Sequence, residues 1–118
     1  MTETESLLKH VIEGIQNKKG KRITLVDMTK LDALCSWFVI CEGSSSTQMM
    51  AICDSIEEEV RKNAHEKPMG IAGYNQSQWV AMDYSDIMVH IFDSETRQLY
   101  QLEQLWSDAK LTDIPDLV

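Results

Sequence analysis

Residues 79–93, WVAMDYSDIMVHIFD, constrain the fold of this chain more than any other segment. Two apolar runs flank a short polar break, and within each run the side chains alternate between two sides. Period-two spacing with β-branched and aromatic residues is typical of β-strands. Because the break is so short, the segment predicts an antiparallel hairpin. Both sides carry apolar residues, which predicts an inner part of a sheet that is covered on two faces.

The first third of the chain predicts a helix followed by a strand. Leu7, Val11 and Ile15 recur at helical spacing and form one apolar stripe. Gly20 follows a cationic last turn, so we expect it to end the helix with a positive φ. Residues 22–28 then alternate as in a strand.

The next segment predicts a second, more central strand and a second helix. Residues 35–41, CSWFVIC, are almost continuously apolar, which favours a strand covered on both faces and antiparallel to residues 22–28. A serine after Gly43 is expected to cap the helix. Its core-facing residues are predicted to be Met49, Cys53, Ile56 and Val60.

A last helix is predicted after the hairpin. Asp93 or Ser94 is expected to cap it, and its apolar face would carry Leu99, Leu102 and Trp106. The polar tail that follows is expected to fray. The pattern as a whole predicts one α/β domain over residues 1–118, with a mixed sheet and flanking helices.

Composition bounds the location and the partners of the chain. Its formal net charge is −8, which makes direct nucleic-acid binding a poor expectation and a basic protein partner a better one. Cys35, Cys41 and Cys53 lie in apolar surroundings without a C-x-x-C pair, which predicts reduced core thiols and a cytoplasmic setting. The sequence carries neither a membrane-spanning run nor a basic secretory signal.

The Gly43-Ser44 turn before the second helix has two possible roles. Its backbone N–H groups could hold a phosphate, as in nucleotidyltransferases, or Ser44 and its neighbours could simply cap the helix. A two-metal transferase needs clustered carboxylates, but Asp54 has no second acid two positions further on. This spacing favours the cap, and we expect neither cofactor nor catalytic residue.

Asp83, Asp86 and His90 are the residues of the hairpin that could carry chemistry. Two acids and a histidine could bind a metal or transfer protons. Aspartates beside a turn are more often turn-formers or protein contacts, and no second histidine or nucleophile accompanies them here. Trp79 starts its strand and is either a core residue or an interface anchor, since tryptophan next to acids is common at binding hot spots. Trp37 is expected in the core.

Three segments resemble the ribosomal silencing factor family, which is also called the Iojap or RsfS family. They are LVDMTKLDALCSWFVICEGSSSTQM (residues 25–49), PMGIAG (residues 68–73) and WVAMDYSDIMVHIFDSETRQLYQLEQLW (residues 79–106). Ser85 departs from the family pattern, because that turn position usually carries glycine. The segments cover most of the chain after the first helix, and their order makes the resemblance specific.

The resemblance implies a nucleotidyltransferase-like fold without catalytic acids, and hence a protein that is not an enzyme. It implies binding to the large ribosomal subunit through ribosomal protein L-fourteen, which blocks joining of the small and large subunits and represses translation. It also implies a homodimer in isolation. An acidic binder suits a basic ribosomal protein. The partner-binding residues carried over from the matching motif are Trp79, Asp83, Tyr84, Asp86, His90, Arg97 and Tyr100.

Overall fold

The computed structural model describes residues 3–31, 35–74, 78–104 and 109–116. The helices are α1 (Glu3–Asn17), α2 (Ser46–Ala64) and α3 (Ser94–Tyr100), and a short 3-10 helix (Leu102–Gln104) follows α3. The strands are β1 (Lys21–Asp27), β2 (Trp37–Glu42), β3 (Gly70–Ala72), β4 (Trp79–Asp83), β5 (Ile87–Phe92) and β6 (Lys110–Ile114).

The strands form one mixed sheet in the order β3-β4-β5-β2-β1-β6. β2 and β5 are parallel, and the other neighbouring strands are antiparallel. The predicted hairpin is confirmed, since Trp79 pairs with Phe92 and Asp83 with Met88. The antiparallel pairing of β1 with β2 is also confirmed. The α/β class with a mixed sheet therefore follows from the sequence.

α1 and α2 cover one face of the sheet. Met49, Cys53, Ile56 and Val60 point into the core beneath α2, as their spacing predicts. Gly14 lets the two helices approach closely, because a Cβ there would lie 2.7 Å from the Cα of Ile56. Ser55 Oγ then donates to the Gly14 carbonyl at 2.8 Å, which joins the helices at the same point.

The end of α1 differs from the prediction in one residue. Lys19, not Gly20, takes the left-handed conformation, with φ of 60°. Gly20 is required for space, since a Cβ at that position would collide with the side chain of Ile15. A turn of this kind is tight because the chain reverses directly from α1 into β1.

The polar tail forms a strand over Lys110–Ile114, so the prediction that it frays is wrong for those residues. β6 pairs with β1 along the edge of the sheet, from Ile23 opposite Ile114 to Asp27 opposite Lys110. Thr24 Oγ1 donates to Asp113 Oδ1 at 2.8 Å, which ties the polar side of β6 to β1. Its polar composition fits an edge strand that is paired on one side only.

α3 is shorter than the predicted last helix. Asp93 caps it by accepting a hydrogen bond from the Thr96 N–H at 2.7 Å. The chain leaves the helix after Tyr100, so the predicted apolar face does not form: Leu99 is 78% exposed, and Leu102 lies in the 3-10 helix. Trp106 lies outside the described residues. None of the described helices is both long enough and apolar enough to cross a membrane.

Candidate partner-binding surface

The second face of the sheet, opposite α1 and α2, is covered only in part. Val26, Ile40 and Phe92 are buried on this face. Five side chains towards β4 and the hairpin turn are half-buried, and we call them the open face: Phe38, Trp79, Ala81, Asp83 and Met88. The prediction of a sheet covered on both faces is therefore correct for its centre and wrong for this corner, where the five side chains are only half-buried.

Trp79 is the largest side chain of the open face. Its indole Nε1 donates to His90 Nδ1 at 3.0 Å. Its ring centroid lies 5.0 Å from that of Phe92 and 5.0 Å from that of Tyr100, which is half exposed at the end of α3. These contacts fix the rotamer of the indole, so a partner would lose little side-chain entropy when it packs against the ring. Trp79 thus packs like a core residue on one side of its ring and can still act as an interface anchor on the other.

His90 lies behind Trp79 and is only 6% exposed. Burial lowers the pKa of His90 to about 4, so the imidazole is neutral at pH 7 and its Nδ1 accepts the indole hydrogen bond. Its Nε2 makes no hydrogen bond within the described part of the chain. His90 therefore positions Trp79 and offers almost no contact area of its own.

The two aspartates lie at the other end of the hairpin. Asp83 Oδ1 accepts a hydrogen bond from the Ser85 N–H at 2.8 Å, and Asp86 Oδ2 accepts one from Thr4 Oγ1 at 3.3 Å. Ser85 has φ of 71°, a left-handed conformation that favours glycine, as expected for its departure from the family pattern. Asp86 is exposed, so it can meet a partner, while Asp83 also shapes the turn.

Tyr84 and Arg97 lie inside the fold. Tyr84 is 3% exposed and packs in the core under α1 and α2, where burial raises the pKa of its hydroxyl. Arg97 is 5% exposed, and its guanidinium lies 3.2 Å from Glu42 and donates to Thr24 Oγ1 at 2.8 Å. A buried guanidinium needs such partners. Arg97 thus fastens α3 to β1 and β2 instead of facing outwards.

The Gly43-Ser44 turn holds a side chain of the protein itself. The N–H and the Oγ of Ser44 donate to Gln48 Oε1 at 2.6 and 2.8 Å. Ser45 is the cap residue, and its Oγ accepts from the Gln48 N–H at 3.1 Å. Asp54 accepts the hydroxyl of Tyr74 at 2.8 Å. The N–H and hydroxyl of Ser44 are therefore engaged by Gln48, and the Asp54 carboxylate by Tyr74. The serine cap that the sequence predicts is Ser45.

The cysteines fit the prediction of core thiols. Cys41 and Cys53 are buried, and Cys35 is half-buried. Burial raises the pKa of Cys41 and of Cys53 to about 12, so both stay protonated at pH 7 and react slowly.

Phe38 and Met88 belong to the open face, although the sequence did not single them out. They are paired across β2 and β5, and Met88 also pairs with Asp83 on β4. Alternation alone puts Met88 on the same side as His90, so this signal was present in the sequence. The alternation could not indicate that these two side chains are only half-buried, because burial depends on contacts with distant parts of the chain.

Comparisons with known proteins agree with the fold and with the resemblance. The sequence profile of the family described as "Ribosomal silencing factor during starvation" (RsfS) matches residues 1–118. A Bacillus subtilis protein named ribosomal silencing factor RsfS is 32% identical over 110 residues, which cover 93% of this chain and 92% of that protein. An Arabidopsis thaliana protein named Iojap-related, mitochondrial, is 32% identical over 92% of this chain and 61% of its own length. The crystal structure of a Chromobacterium violaceum protein superposes with a TM-score of 0.84 at 29% identity, covering 100% of this chain and 94% of that one.

Proposed function

This chain belongs to the ribosomal silencing factor (RsfS) family, and we propose that it represses translation by binding the large ribosomal subunit through ribosomal protein L-fourteen. The bound protein blocks joining of the small and large subunits by occupying space between them. It acts in the cytoplasm and by binding alone, without a catalytic step. The observation that carries the proposal is an open sheet face, part apolar and part acidic, in a member of this family.

The open face has the composition of a binding hot spot. Trp79 supplies a large ring that Phe92 and Tyr100 hold in place, and Phe38 and Met88 add apolar area on the same face of the sheet. Aromatic residues and methionine are enriched at the centre of interfaces, where they exclude water. The contact is therefore proposed to be centred on Trp79.

Acidic groups border this apolar centre at the hairpin turn. Asp83 and Asp86 lie there, and the chain as a whole carries a net charge of −8. Complementary charge speeds encounter with a basic partner and orients it. Asp83, Asp86, Trp79 and Tyr100 are the proposed contact residues, and the buried His90, Tyr84 and Arg97 support them from within the fold.

Sedimentation with isolated ribosomal subunits tests the proposal. We expect the protein to pellet with large subunits and not with small ones. Tyr100→Ala and Trp79→Ala should each weaken binding by about 2 kcal/mol or more, roughly thirtyfold in Kd, if the side chain is a true anchor. Asp86→Ala should have a smaller effect, mainly on the association rate.

Leu111→Ala is the matched control, since Leu111 is 47% exposed on β6, at the opposite edge of the sheet from β3. It should bind as the wild type does. Circular dichroism and melting of each variant separate lost binding from lost folding, and Tyr100→Ala is the safer variant because half of that side chain is exposed. Unchanged affinity of folded Trp79→Ala and Tyr100→Ala would exclude the open face, and pelleting with both subunits would contradict the proposed partner.

A homodimer in isolation is also part of the proposal. Sedimentation velocity over a range of protein concentrations tests it directly. Adding large subunits to the dimer then tells whether self-association and ribosome binding exclude each other, because competition would make the association rate rise less than in proportion to the total protein concentration.

A further inference from the structure

His10, Glu13 and Glu59 form a cluster on the helical side of the molecule, away from the open face. His10 and Glu13 lie one turn apart on α1, and Glu59 lies on α2. The close approach of the two helices at Gly14 and Ile56 brings the next turns together, so that Glu59 faces His10. The donor atoms of the three side chains all lie within 4.8 Å of one another.

The imidazole of His10 lacks the hydrogen bond that its position calls for. Its Nδ1 is sealed from solvent and has no hydrogen-bond partner within the described part of the chain. It lies 3.5 Å from Glu13 Oε2 and 3.5 Å from Glu59 Oε1. Two carboxylate oxygens at this distance are too far for good hydrogen bonds, and a buried polar atom without a partner is costly.

The same distances fit the donor atoms around a metal ion. Donors at about 2.1 Å from a tetrahedral Zn²⁺ lie roughly 3.4 Å from each other. An imidazole nitrogen with two carboxylate oxygens is a ligand set for first-row divalent cations. Both glutamates retain some exposure, 38% for Glu13 and 21% for Glu59, so their carboxylates can rotate to close the site.

We propose that His10, Glu13 and Glu59 bind a first-row divalent cation of the Zn²⁺ class, with water in the fourth position. The ion joins α1 to α2 next to their closest contact. Because the three ligands come from two helices, the unfolded chain does not present them together, and binding therefore stabilises the fold.

The test uses the full chain, freed of metal with a chelator, and ZnCl₂ as the probe. Isothermal titration calorimetry should give one site per chain. At a free Zn²⁺ concentration about 100 times Kd, the Tm should rise by roughly 10 °C. Co²⁺ should give the intense visible absorption of tetrahedral coordination. Glu59→Gln and His10→Gln should each weaken binding at least tenfold, since even changes around the ligands cost 10- to 100-fold.

Glu58→Gln is the matched control, because Glu58 is the neighbouring acid on α2 but pairs with Lys62 at 2.7 Å outside the cluster. His65→Gln controls for binding to an exposed histidine. Both should bind Zn²⁺ as the wild type does, and the melting of each variant without metal reports on folding. The proposal is overturned if the wild type shows no saturable binding up to about 1 mM. It is equally overturned if Glu59→Gln and His10→Gln keep the wild-type affinity, which would place the ion elsewhere.

Discussion

A single methyl group at position 14 would separate the two long helices. The Cβ of an alanine there would lie 2.7 Å from the backbone of Ile56, which cannot move without shifting α2. Glycine costs up to about 1 kcal/mol in a helix interior relative to alanine. The close packing of α1 on α2 offsets that cost, so the residue that weakens the helix locally stabilises the helix pair.

We expect Gly14→Ala to destabilise the protein by about 1–3 kcal/mol, because overpacking outweighs the gain in helix propensity. Urea unfolding followed by circular dichroism measures the change. Gly70→Ala is the control, since a Cβ at position 70 meets nothing within 4 Å, and its effect should stay within about 0.5 kcal/mol. An unchanged or higher midpoint for Gly14→Ala would contradict the close contact.

His90 makes the stability of the fold depend on pH. Its pKa is lowered from 6.5 to about 4 by burial, so the unfolded chain takes up this proton more readily than the folded one. The stability is complete above about pH 6.5 and decreases as the pH falls towards 4, by up to roughly 3 kcal/mol. Protonation also removes the acceptor of the Trp79 hydrogen bond.

Urea unfolding of the wild type and of His90→Gln between pH 7.5 and pH 4 isolates this effect. Carboxylates contribute equally to both proteins, so the difference between the two curves reports on His90 alone. We expect that difference to change steadily through the window between the two pKa values. Parallel curves would show that His90 has the same pKa in the folded and the unfolded protein.

At the scale of elements, β6 shows how a polar segment becomes a strand. Its residues 110–114 are mostly exposed, yet they pair with β1 because that strand would otherwise leave its edge open. Asp113 adds a hydrogen bond from Thr24 Oγ1, whose hydroxyl also accepts from Arg97. The edge strand and α3 are thus linked through one threonine.

Asp113→Ala should cost about 1 kcal/mol, because Thr24 loses its acceptor while Arg97 still donates to it. Asp113→Asn keeps an acceptor oxygen and should cost less. Chemical denaturation gives both values, and hydrogen exchange of the β1 amides tells whether the loss is local. Equal stability of the alanine variant and the wild type would mean that the backbone ladder alone holds β6.

At the scale of the whole molecule, one side of the sheet is sealed by two helices and the other is only partly covered. The proposed metal cluster lies on the sealed side, and the proposed ribosome contact on the other. The net charge of −8 acts over the whole surface and therefore affects the rate of encounter more than the strength of any one contact.

We expect association with isolated ribosomal protein L-fourteen to slow several-fold between about 50 and 200 mM salt, while dissociation changes little. Stopped-flow or surface-based kinetics measure the two rates separately. Asp86→Ala should show a weaker salt dependence than the wild type, and Leu111→Ala the same one. An association rate that does not respond to salt would argue against a basic partner.

The sequence by itself determined the elements that depend on local patterns. Period-two alternation gave the hairpin, a continuous apolar run gave the central strand, and helical spacing with a serine cap gave α2, because burial of one or both faces dictates such patterns. The predicted serine cap is confirmed at Ser45, whose Oγ accepts a hydrogen bond from the Gln48 N–H.

Only the tertiary structure decided which of those residues meet solvent. The family resemblance implied that Arg97 and Tyr84 bind a partner, yet Arg97 is buried against Glu42 and Tyr84 is buried in the core. Phe38 and Met88 are half-buried instead of fully covered, and the close helix contact at Gly14 brings His10 to Glu59. Such outcomes depend on contacts between residues far apart in the chain, and a local sequence pattern does not indicate which of those contacts form.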